Sequence, residues 1–157
     1  IIESMEKICI FETLFGEHAQ IEKLQKVQNL TSSFMARLIA MCPGATKLLL
    51  KKKNIREATL ILGELQQDHS SYPHLFYYHG HAVAEAVACL KDEKSFYEKE
   101  AALWSNAPFP VKAADLPLKG PQLGKALKTI KNWWISQYGQ PDKERCLDWF
   151  ESQRNKL

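Results

Sequence analysis

"FPVKAADLPLKGPQLGKALKTIKNWW", residues 109–134, carries the pattern on which the fold of this 157-residue chain turns. On a wheel advancing about 100° per residue, Leu123, Ala126, Leu127, Ile130, Trp133 and Trp134 fall within an arc of about 120°, a core-facing stripe. Lys125, Lys128 and Lys131 fall within a second arc of about 120° on the other side. Pro121 suits the first turn of a helix, where its missing N–H costs nothing. Gly139 suits the position just past the end, where φ is positive. The stretch therefore predicts an amphipathic helix from Pro121 to about Tyr138 with a basic outer face. Ahead of it, "FPVKAADLP" reads as a corner whose Asp115 caps or braces the turn. "KGPQLG" reads as a helix start whose glycines allow close packing.

Helical spacing continues outward in both directions. "IEKLQKVQNLTSSFMARLIAMC" (21–42) sets Ile21, Leu24, Val27 or Gln28, Leu38 and Met41 in the phase of three- and four-residue steps and predicts one helix, stopped by Pro43-Gly44. A short helix, "ATKLLLKKK", follows. "NIREATLILGELQQ" then opens with Asn54 as N-cap and Glu57 three residues on, a capping-box spacing. "HLFYYHGHAVAEAVACLK" (74–91) predicts a buried helix with Gly80 as a weak point. "EKSFYEKEAALWSNA" (93–107) predicts an amphipathic helix ended by Pro108 and Pro110. "PDKERCLDWFESQRN" begins the last helix at Pro141 and Asp142. Alternating apolar runs and Asn-Gly or Asp-Gly turns are missing, as is any repeat. The expectation is an all-α fold of about seven helices and no sheet. It would form one continuous domain, with a helical body over 1–107 and basic tail helices over 108–157.

A hydrophobic fraction of 45% with 25% charged residues belongs to a globular chain rather than a disordered one. No apolar run approaches the roughly 20 residues of a membrane span, so no membrane partner is expected. The opening "IIESMEKICIF" carries acids and lacks a signal-peptide cleavage site. A start on Ile1 reads as a piece of a longer chain. Cysteines at 9, 42, 89 and 146 have neither metal-finger nor C-x-x-C spacing, which predicts reduced thiols and a cytoplasmic location. Charge is unevenly placed. Residues 1–107 hold 12 Lys/Arg against 13 Asp/Glu, whereas residues 108–157 hold 9 against 5. A basic surface near the C-terminus is the consequence, and nucleic acid is its commonest partner.

Catalytic constellations are missing. The chain has no G-x-G-x-x-G, no G-K-[ST] loop, no H-E-x-x-H and no D-x-D pair able to hold Mg²⁺. His69, His74, His79 and His81 crowd together, yet His79 and His81 stand about 200° apart on a helix. No cysteine or carboxylate completes a tetrahedral site, so no metal site is expected. Trp104, Trp133, Trp134 and Trp149 read as core in preference to base-stacking platforms.

The 109–150 stretch resembles the C-terminal tail of bacterial tRNA nucleotidyltransferases, the CCA-adding enzymes of the polynucleotide adenylyltransferase family. That tail runs F-P-[aliphatic]-x-G-x-D-L, then a short loop, then G-P-x-x-G-x-x-L. Phe109, Pro110, Asp115, Leu116, Gly120, Pro121, Gly124 and Leu127 occupy those places. Ala113 stands where the family has Gly, and the loop to Gly120 is shorter, with Lys119 where a Pro often sits. Upstream, Tyr77, Gly80 and Glu85, and Asn54, Glu57 and Ile61, are similar to two further segments. The likeness spans roughly residues 50–155.

The resemblance implies a parent enzyme that adds C, C and A to tRNA 3′ ends from CTP and ATP with Mg²⁺. The family's catalytic head, with its G-G-x-x-R-D segment and D-x-D pair, is not in these residues. By resemblance this chain holds no catalytic residue or cofactor of its own. Its partners would be tRNA and its own N-terminal catalytic domain. The tail would hold the tRNA elbow and acceptor stem, with Lys112, Lys119, Lys125, Lys128, Lys131 and Arg145 as the candidate RNA contacts. A bacterial poly(A) polymerase parent, or an all-α interaction or dimerisation module, are the alternative expectations.

Overall fold

The computed structural model describes residues 16–46, 52–67 and 71–154, together with Glu12 and Leu14. Among them are seven α-helices and no strand: α1 (Ile21–Gln28), α2 (Phe34–Met41), α3 (Lys52–Leu65), α4 (Tyr72–Lys91), α5 (Lys94–Leu103), α6 (Gly120–Ser136) and α7 (Lys143–Arg154). The all-α expectation holds. The chain divides into two compact units, with the boundary between Lys99 and Glu100, inside α5.

In the first unit, α1 packs on α2, α2 on α3 and α4, and α3 on α4. Val27, Ile39, Ile61, Tyr72 and Val87 are fully buried and form the apolar interior. The single helix expected over residues 21–42 is instead two, parted at "NLTSS". Hydroxyl side chains offer the backbone partners that compete with a helical ladder. Ser33 Oγ accepts the N–H of Ala36 at 3.3 Å, capping α2, and Thr31 Oγ1 accepts the N–H of Ser33 at 3.1 Å. Arg37 closes the break by donating through Nε to the Thr31 carbonyl at 3.0 Å and through its terminal amine to that of Gln28 at 3.2 Å.

Asn54 is not an N-cap, because α3 already runs from Lys52 and places it inside the helix. Most of "ATKLLLKKK", and His69, lie outside the described residues.

The weak point at Gly80 is a break in α4. Its φ of 80° and ψ of 171° are non-helical and lie in a region that essentially only glycine enters. On one side of it, Tyr72 packs edge-on against Phe96 and Tyr97 and donates its hydroxyl to Glu93 at 2.7 Å. On the other, Val83 to Cys89 contribute six buried side chains to the core.

In the second unit, α6 and α7 pack against each other around Ile130, Trp134, Ile135 and Cys146, all fully buried. Cys89 and Cys146 are buried free thiols, and Cys42 is buried with its thiol donating to the Glu17 carboxylate at 3.0 Å. Burial pushes the Cys146 thiol up to about 11, with the nearby Asp142 carboxylate adding to the shift.

Candidate nucleic-acid interface

Trp134 is the anchor of the second unit. Its indole N–H donates to the Pro141 carbonyl at 2.9 Å, fixing the turn between α6 and α7. Phe109 and Trp104 meet its ring edge-on at centroid distances of 5.5 and 6.1 Å. At Gly139, with φ +69°, an added Cβ would stand 3.2 Å from the Trp134 ring and 3.1 Å from the Ser105 carbonyl. Both the backbone angle and the space therefore call for glycine there. Asp142 caps α7 by accepting the Arg145 N–H at 2.9 Å.

The corner ahead of α6 is built around Asp115. A 3₁₀ turn over Ala113–Asp115 brings its carboxylate back to the Lys112 N–H, at 2.7 Å. The other carboxylate oxygen accepts from the Lys143 ammonium on α7. Asp115 thus braces the turn, and the corner is tied to the start of the last helix. The hydrogen bond from Lys143, with that from Lys112, holds the Asp115 carboxyl below its usual range. Val111 and Leu116 are buried on either side of the turn. Ala113 sits here without a positive φ, so this corner does not need the glycine that the resembling tails carry.

The glycines of "KGPQLG" have a different explanation from the expected one. A Cβ at Gly120 or Gly124 would meet nothing within 4 Å, so close packing is not their role. Gly120 is needed for its φ of +59°, where the chain turns into α6.

The six basic candidates fall into distinct environments. Lys119, Lys125 and Lys128 are exposed and make no ion pair or hydrogen bond through their ammonium groups with the described residues. Arg145 and Lys112 are also exposed, Lys112 within the field of the Asp115 carboxylate. Lys131 differs: it is half-buried, its ammonium lying over the Phe109 ring at 5.5 Å from the centroid. That cation–π contact gives Lys131 a packing role inside the unit. Beside it in the wheel's lysine arc, Ile135 is fully buried. The basic face is therefore concentrated toward the N-terminal half of α6.

Of the tryptophans, Trp134 is core as expected. Trp133 and Trp149 stack on each other at 4.6 Å with an interplanar angle of 9°, and both are half-buried.

A groove of about 390 Å³ between α6 and α7 was missed in the sequence. Gln122, Lys125, Ala126 and Thr129 line its α6 side at three- and four-residue steps, and Phe150 and Gln153 face them from α7. The wheel signal was present in the spacing, but the partner helix could not be read from it. Among the described residues, no group of three or more His, Cys, Asp or Glu side chains could hold a metal ion. No helix among them is long and apolar enough to cross a membrane.

Compared with known proteins, the sequence matches no family model, and no curated protein matches it. Fold and composition together define an all-α chain whose C-terminal residues carry the excess of positive charge.

Proposed function

We propose that this chain binds RNA through its second unit, as the tRNA-holding helical tail of a cytoplasmic CCA-adding nucleotidyltransferase. The chemistry would reside in a separate N-terminal catalytic domain using Mg²⁺, CTP and ATP. The observation that carries the reading is the set of exposed ammonium groups at Lys119, Lys125 and Lys128, unpaired among the described residues. Surface cations that neutralise no carboxylate are available to phosphates, and holding an RNA by shape needs phosphate contacts rather than base readout. The Phe-Pro…Asp-Leu…Gly-Pro-x-x-Gly pattern supports the tRNA part of the reading. The braced corner at Asp115 gives that pattern a physical use, since it ties the turn before α6 to the start of α7.

Filter binding of tRNA across a salt series tests the proposal. Binding is expected to weaken with salt, the logarithmic slope growing by about 0.7–0.9 per phosphate contact. Reversing Lys119, Lys125 and Lys128 to Glu together should weaken binding and flatten that slope. Absent or salt-independent binding would overturn the proposal.

A further inference from the structure

We infer that the groove between α6 and α7 seats a single unpaired nucleotide of the bound RNA, its base in the groove and its phosphate at Lys125. This rests on the RNA-binding reading above and names what the basic face holds beyond phosphates. The groove's volume of about 390 Å³ falls at the lower end of the range for small-molecule sites. Leu118, Ala126 and Phe150 make its walls mainly apolar, a surface that a planar base covers well. The Phe150 ring, half-buried, makes no aromatic contact among the described residues, so its π-face is not taken up by another ring.

Gln122, Thr129, Gln153 and Lys125 add polar groups to the apolar lining. Gln122 and Thr129, both exposed on α6, offer an amide and a hydroxyl to the rim of a base. Lys125, which also lines the groove and is unpaired among the described residues, is the one positive charge in that lining. An apolar slot with a cation at its mouth complements a nucleotide, which is an apolar plate joined to an anion. A wholly apolar peptide segment would leave Lys125 without an acceptor, and a bare phosphate would leave the slot unfilled.

Calorimetric and ligand-observed NMR titrations of the 157-residue chain with AMP, adenosine, ribose 5-phosphate and inorganic phosphate provide the test. AMP should bind saturably and at least about tenfold more tightly than ribose 5-phosphate, the share expected of base stacking. Lys125→Ala should lower AMP to the affinity of adenosine. Thr129→Phe changes an exposed helical position, so its fold can be verified by circular dichroism. It should fill the groove and abolish AMP binding while leaving tRNA binding salt-dependent through the remaining lysines.

Equal binding of AMP and ribose 5-phosphate would reduce the site to a bare cation and overturn the inference. So would AMP binding that survives Thr129→Phe, or no saturable AMP binding in the millimolar range. With salt-dependent tRNA binding intact, any of these removes the nucleotide seat alone. Loss of tRNA binding by the unaltered chain removes both readings.

Discussion

Asp115 shows how much one side chain can organise when its partners converge from both directions along the chain. It accepts from the Lys112 N–H three residues before it and from the Lys143 ammonium 28 residues after it. Because the folded state holds its carboxyl below the usual value of about 3.9, the ionised form favours folding. The resulting stability is present above the unfolded pKa and is lost as pH falls through the depressed folded pKa. Asp115→Asn should therefore melt lower than the parent chain at pH 7, with the gap closing under acid. Thermal melts from pH 7 to pH 2 measure this, and a gap independent of pH would assign Asp115 a role other than its charge. At the same scale, buried Cys146, with its thiol pushed up to about 11, stays protonated at pH 8. It should resist alkylation by iodoacetamide in the folded chain and react promptly in denaturant, as read by mass spectrometry.

Among the helices, the breaks are as informative as the runs. α4 kinks at Gly80, which adopts φ 80° and ψ 171°, and no neighbour crowds the place of its missing Cβ. The requirement is therefore purely one of backbone angle. Gly80→Ala should cost about 1–3 kcal/mol, the typical cost of such a strained conformation. Urea melts would measure it, and a neutral result would mean that α4 straightens to accommodate the side chain. The break between α1 and α2 has another cause, the hydroxyl cap at Ser33, where Ser33→Ala should cost about 1 kcal/mol. The sequence marked Gly80 through its low helix propensity. It hid the second break, because the apolar steps on either side of "NLTSS" stay close enough to one helical phase to read as continuous.

Across the whole chain, charge and stability are separable. Lys119, Lys125 and Lys128 are exposed and unpaired among the described residues, so reversing all three should leave the melting midpoint nearly unchanged, each site contributing within about 0.5 kcal/mol. Lys131→Glu should lower it, because that side chain packs over Phe109. Parallel thermal melts of the two variants distinguish surface charge from packing. Helicity, the starts of α6 and α7, the end of α6 and the apolar stripe through Ile130 and Trp134 were legible because each follows from backbone hydrogen bonding within about four residues. Which lysines are free was not legible. Lys143 is neutralised by Asp115, Lys131 rests on a ring 22 positions earlier in the chain, and Ile135 is buried within what the wheel draws as a basic arc. The groove, too, exists only because Phe150 of α7 comes to face Thr129 of α6. The sequence by itself determined the helices, since their period is local. Only the tertiary structure decided which charges and surfaces remain available, because pairing and burial depend on groups far apart along the chain.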